Sequence, residues 1–279
     1  MATTHHRFHT FRSVAGGRSS TLALRMTLVL AIALLLPLVG AIPAAAADLT
    51  VCKAPGSLAA ARAEARQLVA EIRADLAPVE DEIRNVPFVT ELEAGRASLD
   101  QVADLLGEQY SIIRSDWGSF SHMVTRFDDP ASRQFFGGIA GGEALAFDLL
   151  LDAAARFGRT EEDLAAYEPK PKGQTYPSRV AWIALYANRA SAGASFLVNF
   201  AVFGETMGRV QRALIDVYGL SEEDTAFFGF FAEPIPGFED DAIDVIAAGL
   251  LRGACPREAK RSARLLQAYE LDFWQAVGE

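Results

Sequence analysis

From residue 57 onward, apolar residues recur at intervals of three and four, the spacing of one face of an α-helix. Ser57 opens the first such run. Ala61, Leu68, Ile72 and Leu76 mark its apolar face, and Pro78 is expected to end it. Ser98 and Gln101 have the spacing of a capping box. The stripe that follows (Leu99, Val102, Leu106, Tyr110, Ile113, Trp117, Phe120, Val124) predicts one long helix that stops at Asp128-Asp129-Pro130. A third helix is predicted from Ser132 to Phe157, with Phe136, Ile139, Glu143, Ala146, Leu150 and Ala154 on one face and Gly158 closing it. Thr160 with Asp163 caps a short helix, and the stretch from Glu168 to Pro177 reads as a loop.

Residues 178–203 are apolar nearly all round, which predicts a helix buried on every side. Its Ala190, Ala192, Gly193 and Ala194 are small enough for close packing. A separate helix is expected from Glu205 to Tyr218, ended by Gly219. Ser221 with Asp224 is a further cap, and Pro234 to Gly237 is a turn. The last two helices are predicted at Asp240–Leu251 and Arg257–Val277, with Pro256 at a first helical position. The pattern contains no strand alternation, repeat or low-complexity tract. The fold class is therefore all-α, a helical bundle, and with no linker inside it a single domain over residues 48–279 is the simplest account.

The first 47 residues read differently. Residues 1–25 are basic and acid-free, Thr27 to Ile42 is almost wholly apolar, and Ala44-Ala45-Ala46 offers a small-residue cleavage site. This is the order of a secretory signal, so an extracytoplasmic protein is expected, with an uncleaved anchor or a misassigned start as alternatives. There is no Arg-Arg pair for a twin-arginine signal, and Leu49-Thr50-Val51-Cys52 is a poor lipid-attachment box. Removing the four leader arginines leaves 22 basic and 36 acidic residues, a net charge of −14. A body that acidic repels phosphate backbones and argues against nucleic-acid partners. Contact with a membrane is expected only through an uncleaved leader. Cys52 and Cys255 could form one disulfide or stay as two thiols, and the sequence leaves both open.

Candidate chemistry comes from polar residues on apolar faces. Glu270 lies in the stripe Ala259, Ala263, Leu266, Glu270, Phe273, Trp274, Val277, so it must enter the core or line a cavity, where its pKa should rise. It is a candidate acid or base, or a glutamate buried with a structural partner. Glu143 is the second inward carboxylate. The alternative of a di-iron site wants Glu-x-x-His pairs, but position 146 is Ala and His122 falls off the apolar stripe. No metal and no cofactor are therefore expected. Trp182 and Phe273 are among the aromatics that could stack a flat heterocycle. Asn188, Arg189 and Asn199 lie inside the most buried helix and need partners. Gly137-Gly138 with Gly141-Gly142 is not a phosphate loop, and these glycines are expected to permit close helix contact.

Residues 87–279 resemble the TenA (thiaminase II) family, within the superfamily of haem-oxygenase-like helical folds that includes the PQQ-synthesis oxidase. Pro87-Phe88 followed by Leu92 and Gly95 is similar to the family's opening "PF…L…G", Leu105 to Tyr110 to its "L..QDY", and Tyr269 to Trp274 to its terminal "E..FW". The resemblance implies a small-molecule ligand of the pyrimidine or thiamin type, thiamin-related chemistry and a homo-oligomer. It implies a catalytic role for Glu270 and substrate contacts for Tyr110, Gln109 and Glu143. Gln109 stands where the family has aspartate. The family's cysteine nucleophile falls in the segment Phe203 to Gly208, where Gly204 replaces it and Gly208 replaces a tyrosine. Glu205 could supply acidic chemistry instead, or it could simply occupy a helix's first turn. Three readings follow. The chain is a cysteine-independent hydrolase of thiamin-breakdown products, a non-catalytic extracytoplasmic binding protein, or an oxidase on the same fold.

Overall fold

A computed structural model describes residues 52–279, and the leader lies outside them. The described residues form ten α-helices and no strand: α1 (Leu58–Arg84), α2 (Pro87–Glu93), α3 (Leu99–Arg126), α4 (Pro130–Arg156), α5 (Glu161–Ala166), α6 (Thr175–Tyr186), α7 (Arg189–Asp216), α8 (Ala226–Ala232), α9 (Phe238–Leu250) and α10 (Pro256–Gly278). The caps set these boundaries. Ser57 accepts from the Ala60 amide at 3.2 Å, and Ser98 and Gln101 make both bonds of the capping box. Asp129 accepts from Ser132 N at 2.9 Å with Pro130 at the first helical position. Gly158 and Gly219 close α4 and α7 at φ 71° and 73°.

The structure differs from the sequence reading in four places along the chain. Pro78 lies inside α1 and does not end it. A proline there removes one backbone hydrogen bond, but Ile83 beyond it is fully buried and Asn85 caps the end, which together favour continuation. The apolar run 178–203 is two helices, broken at Ala187-Asn188, because Asn188 accepts from Ser191 N at 2.9 Å and starts a new helix. Conversely, the boundary expected near Phe203 is absent: α7 runs through to Asp216. Glu205 is thus in mid-helix, so the first-turn explanation for it does not apply. Pro87 also starts a short helix, α2, that the periodicity did not mark.

α7 is the axis of the bundle, packed against α8, α9 and α10. α3 and α4 pair along their lengths, and α1 lies across α9 and α10. Arg189, at the start of α7, pairs with both Asp128 and Asp129 and ties the α3–α4 turn to that helix. Cys52 and Cys255 form a disulfide with Cα atoms 5.1 Å apart, which answers the question the sequence left open and fastens residue 52 to the N-cap of α10.

Small residues let helices meet closely. A Cβ on Gly249 would lie 2.6 Å from Ala190, and one on Gly193 would lie 3.1 Å from Val245, so α7 and α9 touch as the run of small residues anticipates. The tightest approach to a backbone atom is at Gly204, where a Cβ would lie 2.5 Å from the carbonyl oxygen of Phe231. The short helix α8 therefore presses on α7 at the position where the resemblance would put a cysteine. Gly204→Cys should lose about 1–3 kcal/mol of stability through this overlap, read as a lower urea midpoint.

Candidate functional site

A cavity of about 650 Å³ opens between α3, α4, α7, α8 and α10. Much of its wall is aromatic, with Phe200, Phe203, Phe230, Phe231 and Phe273 on it. Three buried carboxylates on three different helices face into it: Asp116 on α3, Glu143 on α4 and Glu270 on α10.

Glu270 is held at both oxygens. The Trp274 indole donates to Oε1 at 2.7 Å, and the Asn199 amide donates to Oε2 at 3.3 Å. Burial raises its pKa against these two donors, which favour the charged form, and the balance falls at about 7. Asn199, on α7, also donates to Gln267 Oε1 at 2.9 Å and accepts from the Tyr176 hydroxyl at 3.2 Å. Burial and the surrounding carboxylates push the Tyr176 phenol well above its ordinary range, so it stays a donor. Burial alone lifts Glu143 to about 8. Asp116 is raised well above the carboxylate range by burial first and then by the charges of Glu143 and Glu270. Its Oδ1 has no hydrogen-bond partner among the described residues.

The residues singled out in the sequence are placed as follows. Gln109, Glu143, Glu270 and Phe273 all line the cavity. Glu205 lines its mouth, where Arg84 Nε donates to it at 2.9 Å. Tyr110 is outside the lining: its ring packs tilted against Phe147, and its hydroxyl donates to Glu161 at 3.4 Å. Trp182 is also outside, 45% exposed, with the Arg179 guanidinium 4.1 Å from its ring centre. The α4 glycines are not at a close helix contact. A Cβ on Gly138 or Gly141 would meet nothing within 4 Å, and Gly138 and Gly142 line the cavity. Their missing side chains keep space open, which corrects the close-packing expectation. Asp116 was not singled out. Asp116 lies seven residues after Gln109, two turns along one face, but the bulk of Trp117 set the phase of the α3 stripe by one residue. Trp117 is in fact 43% exposed.

An all-helical bundle with an acidic, aromatic-walled central cavity is the class that fold and site define, and its solved neighbours have a haem-oxygenase-like fold. The chain belongs to the TENA/THI-4/PQQC family, whose model matches residues 73–228. Among solved structures it is similar to a TenA homologue from P. horikoshii OT3, with TM-score 0.61 and 14% identity over 75% of this chain and 97% of that one. A TenA homologue from Pseudomonas syringae pv. tomato matches with TM-score 0.61 and 12% identity over 81% and 98% of the two chains. A domain of unknown function with a haem-oxygenase-like fold from Shewanella denitrificans matches at TM-score 0.61 and 18% identity over 75% and 91%. At these identities the likeness is one of fold. No match is found among curated proteins.

Two expected outcomes follow from the cavity itself. Glu143 and Glu270 titrate at about 8 and about 7 in the folded protein against 4.5 ordinarily. Over that window the folded state holds more protons than the unfolded chain, so their contribution is fully present below 4.5 and is lost as pH rises through the folded values. Ion-paired acids such as Glu93 and Asp129 have lowered pKa values and titrate below this window. Urea denaturation between pH 5 and 8 should show stability falling with pH, and Glu143→Gln should flatten the slope. Gly138→Leu should raise stability by about 0.5–1 kcal/mol, because it replaces a mid-helix glycine and its side chain enters empty space; the same urea titration reads it.

Proposed function

We propose that this protein binds a flat nitrogen heterocycle of the pyrimidine or thiamin-breakdown type in the central cavity and hydrolyses it without a cysteine. The observation that carries this reading is Glu270: a buried carboxyl at the cavity wall, oriented by Trp274 and Asn199, with a pKa of about 7. A group balanced there can take a proton from water and return one at neutral pH. In the ionised form Glu270 accepts a proton from a water molecule, whose oxygen attacks the electrophilic carbon. The carbon–nitrogen bond then breaks, and the leaving nitrogen takes the proton back from the Glu270 carboxyl. Gln109 and Tyr176, which also line the cavity, would orient the ligand. Family membership supports the substrate class. The close contact at Gly204 accounts for the absence of a side-chain nucleophile.

The same contact favours a second reading, a non-catalytic binding protein that keeps the pocket and has no nucleophile. An extracytoplasmic location belongs to both readings. It is supported by the order of the leader and by the Cys52–Cys255 disulfide, a bond that persists in oxidising compartments. Incubating the full chain with thiamin and aminopyrimidine breakdown products, with thermal shift and mass spectrometry as readouts, tests the proposal. Product should form and fall at least about a hundredfold in Glu270→Gln. Product formed equally by that variant, or none from wild type, would sink the hydrolase reading. A thermal shift without product would support the binding protein.

A further inference from the structure

The cavity is strongly one-sided in charge. Six acidic side chains line it (Asp116, Glu143, Glu205, Glu233, Glu239, Glu270) against one basic side chain, Arg73. Arg73 is already paired with Glu239 at the mouth, at 3.0 Å. Glu205 is paired with Arg84, and Glu270 has its two donors. Asp116, Glu143 and Glu233 are left, and of these Glu233 is exposed to solvent while Asp116 and Glu143 are buried. Asp116 is 3% exposed with an orphaned Oδ1, and Glu143, 9% exposed, has no hydrogen bond or ion pair among the described residues. Native structures rarely leave a buried carboxyl without a donor unless something outside the chain supplies one.

The geometry points to an organic cation as that missing partner: Asp116 on α3 and Glu143 on α4 together select a flat amidinium or protonated amine, whose N–H groups they accept while the phenylalanine walls hold its body. A planar cation matches carboxylate acceptors through charge-assisted hydrogen bonds and gains further from aromatic faces. A metal ion fits less well, since no group of three or more His, Cys, Asp or Glu among the described residues is arranged to hold one. Glu143 is a position the family resemblance already marks for ligand contact; Asp116 is not, since on α3 that position is Gln109, two turns before Asp116 on the same face. This inference rests on the cavity being a small-molecule site and not on hydrolysis.

Benzamidine and benzamide have nearly the same shape and differ in charge, so calorimetry of the full chain with each is the test. Benzamidine should bind, and benzamide should bind at least about tenfold more weakly. Asp116→Asn and Glu143→Gln should each weaken benzamidine about tenfold, with melting temperatures no lower than wild type, since each removes a buried carboxyl that has no partner. Equal affinity for the two probes, or full benzamidine affinity in both variants, would overturn the charge selection and leave the cavity a small-molecule site. Failure of benzamidine to bind would overturn it too. Benzamidine binding in a protein that turns over no aminopyrimidine would fail the hydrolase reading while this one stands.

Discussion

The buried amide of Asn199 is the contact on which the arrangement of this bundle turns. A glutamate in the core of an α-helical protein costs several kcal/mol unless donors meet it. Asn199 supplies one to Glu270, gives another to Gln267, and accepts from Tyr176, so one side chain on α7 fixes α6 and α10 around itself. Gln267 passes the connection on to Glu80 at 3.3 Å, Glu80 lies 3.6 Å from Arg84, and Arg84 reaches Glu205. A continuous polar strand therefore runs from Glu270 to the mouth of the cavity. It fixes the rotation of α10 that turns Glu270 inward.

The second constraint is steric. α8 can approach α7 only because Gly204 and Gly208 have no side chains; a Cβ on Gly208 would lie 3.0 Å from that of Ala232. α8 also brings Phe230 and Phe231 into the cavity wall. The two facts are one trade: the aromatic wall occupies the place a nucleophile would need. The acid–base groups the cavity wall does carry are its carboxyls, and burial has moved Glu143 and Glu270 toward neutral pH, where proton transfer in either direction is easy.

Much of this was legible in the sequence, and the exceptions have physical causes. Polar caps mark helix ends by a local bond, so Ser57, Ser98 and Thr160 could be read directly. Pro78 misled because a local penalty was outweighed by burial further along the helix. The break at Asn188 was hidden because the apolar run continues across it, and only the capping side chain distinguishes two helices from one. Glu143 and Glu270 stood out as charges on apolar faces. Asp116 did not, since an adjacent tryptophan outweighs it in any reading of hydrophobic phase, although the tryptophan is the residue that faces solvent. Asn199 was recognisable only as a polar group needing partners; which partners depends on contacts across about 70 residues of chain, as its 68- and 71-residue separations from Gln267 and Glu270 show.

The cavity is held open by what its walls lack as well as by what they carry. Gly138 and Gly142 leave one face of α4 bare beside Glu143, and the phenylalanines opposite cannot neutralise a charge by hydrogen bonding. Three carboxylates on three helices repel one another across this space, which is why Asp116 feels both of the others. Two things can relieve that repulsion: protons on the carboxyls, or a positive occupant between them. The two are exclusive at any one carboxyl, so filling the cavity with a cation must release protons, and an empty cavity near neutral pH must hold them. Occupancy and protonation of this site are thus a single linked equilibrium, set by how deeply the bundle buries its acids.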